Sequence, residues 1–134
     1  MYSLEELIEM LREREYKLTP QRITIIKVLL REGKEHPSIN YLLAQVKREL
    51  PTTSFSTLYT TLLRLEELGI IKLFSYKGET RVEIDPRPHI NVIYTKNDKI
   101  VDVYDQRLIE DIKKRLDQIY GNRHKNILIN VIVY

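Results

Sequence analysis

Apolar side chains recur at two different periods along this chain, and the change of period divides it. Leu4, Leu7, Ile8 and Leu11 are spaced i, i+3, i+4 and i+7, the stripe of an amphipathic helix, with Ser3 placed to cap it. Leu18-Thr19-Pro20-Gln21-Arg22 then offers a Thr cap followed by a proline whose fixed φ suits the first helical position. The nearly continuous apolar run from Ile23 to Leu30 predicts that this second helix is the most buried, with Gly33 as its stop. His36-Pro37-Ser38 opens a third helix that turns Ile39, Leu42, Leu43, Val46 and Leu50 inward, and Pro51 follows its end. A fourth helix is expected from about Phe55 to Leu68, with Leu58, Leu62 and Leu65 as its buried stripe and Gly69 as its terminator.

After Gly69 the period changes. Ile70 to Tyr76 reads as a strand, Lys77-Gly78-Glu79 as a turn and Thr80 to Ile84 as the returning strand. Two prolines in Asp85-Pro86-Arg87-Pro88 forbid regular structure there, so these residues read as a linker. Beyond it come a strand from Ile90 to Tyr94, a Lys96-Asn97-Asp98 turn and a strand from Lys99 to Tyr104. A helix from about Asp105 to Tyr120 follows, with Leu108, Ile109, Ile112, Leu116 and Ile119 on its apolar face, and then a β-branched strand within 126–134.

The class is therefore α+β. A winged helix-turn-helix domain over residues 1–84 and a linker at 85–88 precede a small α/β domain of three strands and one helix over 89–134. So thin a core is below the size at which a domain is comfortably self-sufficient, and an apolar edge strand invites pairing with a second copy. The second domain is expected to dimerise the chain, with a sheet continuing across a two-fold axis.

A winged helix-turn-helix reads a DNA duplex with its longer helix. With Leu58 facing inward, a 100° step places Ser56, Thr60, Arg64 and Glu67 outward, flanked by Thr57 and Tyr59. Short hydroxyl side chains let a helix backbone approach base edges and bond to bases and phosphates. The candidate DNA-binding residues are Arg22, Ser54, Ser56, Thr57, Tyr59, Thr60, Arg64 and the wing's Lys77, with Lys72 as an alternative phosphate contact. The competing reading of the Ser and Thr residues is helix capping, and that of Arg64 is a solvated side chain.

Composition narrows the chemistry. The 134 residues are 43% hydrophobic and 31% charged, a globular balance, and no apolar run approaches the length needed to span a bilayer. With acid rather than base near its start, the chain is expected in the cytoplasm and away from membranes. A formal charge of +3 suits a polyanion partner only weakly, so the placement of charge carries more weight than its total. There is no cysteine, which excludes thiolate zinc sites, iron–sulfur clusters and thiol catalysis. Any metal must rest on carboxylates, amides and the three histidines His36, His89 and His124.

Three stretches taken together resemble the ferric uptake regulator (Fur) family. They are Leu18-Thr19-Pro20-Gln21-Arg22, His36-Pro37-Ser38 with the helix ending at Leu50-Pro51, and Ser54-Phe55-Ser56-Thr57-Leu58-Tyr59-Thr60-Thr61-Leu62 with Leu65-Glu66-Glu67-Leu68-Gly69-Ile70. The resemblance implies a dimeric repressor on an inverted-repeat operator, responding to a divalent metal such as Fe²⁺, Mn²⁺ or Zn²⁺. It implies metal ligands at His36, Glu83, His89 and Asp102, with Asn91 standing where the family has a second histidine. Asp102 is similar to the peroxide-sensing branch, and Thr60 stands where the family usually has arginine. The structural four-cysteine zinc of many members has no ligands here: Tyr94 and Asn97 occupy the first pair of positions, and its stabilising role is expected to pass to Tyr94, Tyr104 and the last strand. His124 lies near a further family ligand but reads better as a surface histidine.

Two other functions stay open at this level. One is a DNA-binding regulator that has lost metal sensing, as the missing cysteines and the missing histidine would allow. The other, more remote, is a metal-dependent enzyme, against which stands the absence of a HExxH pair, a Gly-rich phosphate loop or a Ser–His–Asp order. An RNA-binding module fits the charge but offers no aromatic stacking platform.

Overall fold

A computed structural model describes residues 1–123 and 126–134, so His124 lies outside the described residues. Contacts divide the chain into two compact units, Met1–Pro86 and Arg87–Tyr134. No helix among the described residues is long and apolar enough to cross a membrane.

The first unit runs α1 (Leu4–Glu13), α2 (Pro20–Glu32), a 3₁₀ turn (Gly33–Glu35), α3 (Ile39–Glu49), α4 (Phe55–Glu67), β1 (Lys72–Tyr76) and β2 (Glu79–Glu83). Each helix starts where a short polar side chain takes up an orphan backbone N–H. Ser3 accepts from Glu6 in a full capping box, Thr19 from Arg22, Ser38 from Tyr41 and Ser54 from Thr57. The apolar stripes meet in one core. Leu7 and Leu11 of α1 join Ile25, Ile26, Val28 and Leu29 of α2, Leu42 and Val46 of α3, and Leu58, Leu62 and Leu65 of α4. Each fully buried leucine contributes about 1.5–3 kcal/mol of transfer free energy.

Gly33 follows the last residue of α2 as its C-cap, as expected. The backbone passes through it as right-handed 3₁₀ structure and turns left-handed only at His36, φ 49°. Glycine is needed there because a Cβ would collide with the Ile84 side chain. Ile70 and Ile71, expected within the first strand, precede the ladder and are buried in the core instead. The β1–β2 hairpin is antiparallel from Lys72↔Glu83 to Tyr76↔Glu79. Its two-residue turn puts Lys77 and Gly78 at φ 50° and 75°, the left-handed pair whose twist matches a hairpin. The hairpin is tied to the start of α3: Val82 N–H donates to the Pro37 carbonyl at 3.0 Å and Ser38 bridges to Arg81.

The second unit holds β3 (Ile90–Tyr94), β4 (Lys99–Val103), α5 (Gln106–Tyr120) and β5 (Ile129–Val133). Its sheet order is β4-β3-β5, with β4 antiparallel and β5 parallel to the central strand. Asp105 caps α5 and Gly121, φ 67°, ends it. The core is thin: its buried apolar side chains are Ile90, Ile93 and Ile109. Two expectations are corrected here. Of the α5 stripe, Ile112 and Leu116 are half-buried while Leu108 and Ile119 are left exposed by the described residues of this unit. Tyr94 and Tyr104 are also exposed, so within one chain they do not replace a structural zinc by apolar packing.

Candidate nucleic-acid interface and metal-ligand clusters

The α4 helix turns Leu58, Thr61, Leu62 and Leu65 into the core and leaves Ser56, Tyr59, Thr60 and Arg64 exposed, as a 3.6-residue period requires. Ser54 is engaged as the cap: its hydroxyl accepts from Thr57 N–H at 3.1 Å and lies 3.0 Å from the Thr57 hydroxyl. Arg64 pairs with Glu67 across 2.9 Å at the surface. Arg22, in the first turn of α2, donates to the Lys17 carbonyl at 2.7 Å, and its guanidinium lies over the Tyr16 ring. Arg22, Thr60 and Arg64 line one open cleft of about 330 Å³ together with Tyr16 and Lys17. Lys77 stands exposed at the tip of the hairpin, its ammonium 5.5 Å from the Tyr76 ring centre, and Lys72 is half-buried at the first rung.

Two residues of this surface were not singled out from the sequence. Lys17 is a cation in the loop before α2, and its partnership with Arg22 and Arg64 is a tertiary fact. Phe55 stacks on Tyr59 with ring centres 5.7 Å apart and planes at 12°. Its spacing to Leu58 would place it on the buried stripe, yet it sits in the first turn of α4, beyond the edge of the core, and is exposed. Phe55 and Tyr59 line a second cleft of about 200 Å³ with Ser38 and the hairpin residues Gly78 and Thr80.

The first unit brings two of the expected metal ligands together. His36 Nε2 lies 2.7 Å from Glu83 Oε2, and both side chains are buried. The left-handed backbone at His36 and its position before Pro37 send the imidazole toward β2, where Glu83 is the last residue, opposite Lys72. Arg81 donates from its guanidinium to the His36 carbonyl at 3.1 Å, and the Phe74 ring lies edge-on to the imidazole.

The second unit brings together the other three. His89 and Asn91 are two apart along an extended chain, so both side chains leave the same face. Asn91 is fully buried on β3, and Asp102 of β4 is its register partner. His89 Nδ1–H donates to the Arg87 carbonyl at 2.6 Å, which turns Nε2 toward Asn91 Oδ1 at 3.1 Å and Asp102 Oδ1 at 3.9 Å. Tyr104 covers the imidazole, and Arg87 bonds to the Tyr104 hydroxyl at 2.9 Å. In that tautomer Nε2 and Oδ1 both present lone pairs, so the contact calls for a positive centre, either a proton on Nε2 or a metal ion.

The donors of both clusters are imidazole nitrogen, carboxylate oxygen and amide oxygen, the mixed N/O set that suits Zn²⁺, Fe²⁺ or Mn²⁺ and disfavours thiophilic Cu⁺. Backbone acceptance at the far ring nitrogen of His89 is also the usual way a ligating imidazole is oriented.

The chain is similar to known proteins over most of its length. The sequence model described as "Ferric uptake regulator family" matches residues 13–132. A "Ferric uptake regulation protein homolog" of Archaeoglobus fulgidus is 41% identical over 112 residues, covering 84% of this chain and 86% of the relative. The "Peroxide-responsive repressor PerR" of Staphylococcus saprophyticus is 30% identical over 127 residues, covering 92% and 85%. Among solved structures, the Campylobacter jejuni peroxide stress regulator superposes with a TM-score of 0.72 at 32% identity, over 96% of this chain and 95% of that one.

Proposed function

The chain belongs to the ferric uptake regulator family, and from that premise we propose that it is a metal-responsive transcriptional repressor that binds an inverted-repeat operator as a homodimer. The observation that carries this reading is α4: three leucines anchor it in the core while Ser56, Tyr59, Thr60 and Arg64 face outward beside a cationic cleft and a hairpin wing. The hydroxyls and Tyr59 would meet base edges in the major groove, and Arg22, Lys17 and Lys77 would meet phosphates.

A second copy is called for by the second unit. Its exposed Leu108 and Ile119 on α5 and Val131 and Ile132 on β5 are apolar surface that a soluble monomer rarely leaves open. An isologous pairing would bury it and set two α4 helices about 34 Å apart, one turn of duplex.

For the metal, the candidate ligands are His36 and Glu83 of the first unit and His89, Asn91 and Asp102 of the second. A bound divalent ion supplies a positive centre for these donors. His36 and Glu83 then hold position through the Pro37–Val82 and Arg81 bonds, and His89 through its Nδ1–H bond to Arg87. Metal would regulate by favouring the conformations that bind it best, a coupling to DNA of about 1–3 kcal/mol sufficing for a useful response.

The test is selection of operator sequences with the purified protein, followed by affinity measurements with Mn²⁺, Zn²⁺ or anaerobic Fe²⁺ and after chelation. The expected result is a palindromic operator bound at least about fivefold more tightly with metal. Absence of any selected sequence would end the regulatory reading. A constitutive regulator is the second reading, favoured by Asn91 in a ligand position. It predicts that His36→Ala/His89→Ala binds no less metal and no less DNA than the parent.

A further inference from the structure

One row of three polar side chains crosses the sheet of the second unit. In the second unit Asp102, Asn91 and Asn130 are register partners on β4, β3 and β5. The neighbouring row on the same face is Ile100–Ile93–Ile132. Asn91 is fully buried, and burying an amide beside such side chains is unfavourable unless its polar atoms are bonded, so this row needs a reason.

The geometry points to Asn130 as the positioning residue that fixes which end of the Asn91 amide faces His89, an inference that rests on reading His89, Asn91 and Asp102 as metal ligands. Asn91 Nδ2 donates to Asn130 Oδ1 at 3.1 Å. A side-chain amide has one donor end and one acceptor end, so committing Nδ2 to Asn130 commits Oδ1 to the opposite side, 3.1 Å from His89 Nε2. The two orientations have opposite consequences. With Oδ1 forward, oxygen and imidazole nitrogen present lone pairs together and form a donor pair for a cation. With Nδ2 forward, the amide would donate to Nε2, cap the imidazole lone pair and oppose a cation.

Asn130 thus acts through Asn91 and touches no metal itself. It also gives the chain a specific device: where an imidazole at position 91 would ligate through nitrogen, the paired amides supply a neutral oxygen. Oxygen donors favour Mn²⁺ relative to Zn²⁺, which prefers imidazole, so the Asn91–Asn130 pair biases the site toward Mn²⁺.

The experiment uses the full chain, Mn²⁺ as probe and the variants Asn130→Leu, Asn130→Asp and Asn91→Leu. Asn130→Leu is close in volume but accepts no hydrogen bond, and it should weaken Mn²⁺ binding, read from the free-ion electron paramagnetic resonance signal, by about 10- to 100-fold. Asn130→Asp can only accept, so it holds the Asn91 orientation and should keep Mn²⁺ affinity within about threefold of the parent. A metal-free readout stands beside this. A nitrogen–nitrogen coupling across a hydrogen bond from Asn91 Nδ2 to His89 Nε2 should be absent in the parent and in Asn130→Asp, and present in Asn130→Leu.

Detection of that coupling in the parent would overturn the proposal without any variant having to fold. Parental Mn²⁺ affinity in a folded Asn130→Leu would overturn it as well. If Asn91→Leu weakens Mn²⁺ binding while Asn130→Leu does not, only the positioning role fails. If Asn91→Leu also leaves Mn²⁺ binding unchanged, the ligand reading of Asn91 fails with it.

Discussion

The guanidinium of Arg81 donates to the carbonyl oxygen of His36 across 3.1 Å, joining the hairpin to the one left-handed residue that precedes α3. The bond holds in place the turn that aims the His36 imidazole at Glu83. A hydrogen bond from a charged donor to a partly buried carbonyl contributes about 1.5–3 kcal/mol. Arg81→Ala should lower the stability of the protein by that amount, read from the urea midpoint at unchanged slope. Arg81→Lys should recover less than half of the loss, because an ammonium cannot reproduce the guanidinium's stacking on Tyr76.

His36 carries two separable roles, a ligand and a backbone shape. At φ 49° a β-branched side chain is strained, whereas asparagine tolerates the left-handed region. His36→Val and His36→Asn both remove the imidazole and should both reduce bound Mn²⁺ in a dialysis assay. His36→Val should in addition melt at lower temperature, corresponding to about 1–2 kcal/mol. Equal melting of the two variants would show that the backbone at this position carries no strain.

Gly33 is a packing requirement. Gly33→Ala should cost about 1–3 kcal/mol through overlap with Ile84. Combined with Ile84→Ala, which removes the obstructing methyl, the loss should be smaller than the two single losses added. Chemical denaturation of the four proteins in a double-mutant cycle measures the difference, and strict additivity would rule out the steric account.

On the DNA side, Tyr59→Ala should weaken operator binding by about 1–3 kcal/mol while leaving the fold intact, since Tyr59 is exposed in the free protein. Arg22→Ala should weaken binding to all sequences alike and flatten the salt dependence by about one released counterion. Fluorescence anisotropy across a salt series separates the two. Leu62→Ala is the contrasting case: it should cost about 2–5 kcal/mol of folding stability and reduce binding only through unfolding.

How far the sequence spoke depended on the range of the interaction. The four helix starts in the first unit were legible because Ser3, Thr19, Ser38 and Ser54 act on backbone groups three residues away. The stripe of α4 and its outward face were legible for the same reason, being properties of one helical period. What escaped was non-local. Gly33 was legible as the end of α2, but nothing in its neighbours announces its close approach to Ile84, 51 positions on. Lys17 gave no signal because its cleft is assembled with residues of α2 and α4. The exposed ends of α5 were read as core because an apolar stripe states that something covers it, without saying that the cover is absent from this unit.

Within the candidate metal ligands, resemblance named the donors and the structure supplied their orientation. His36 with Glu83, and His89 with Asn91 and Asp102, stand in contact within their own units. Asn130 carried no signal in the sequence beyond being a polar residue in an apolar strand. Its meaning depends on a parallel register that places it beside Asn91, 39 positions earlier in the chain.

That separation sets an order of events. Parallel pairing of distant strands comes late in folding, after the β3–β4 hairpin, whose partners are close in the chain, has had time to form. A growing polypeptide that has made β3 and β4 but not yet docked β5 would offer an ion an imidazole whose neighbouring amide has not been aimed. Loading with metal would then follow folding instead of nucleating it, the reverse of a zinc finger. In a cell, occupancy of the site would report that a molecule has finished maturing, so half-made copies could not silence a promoter.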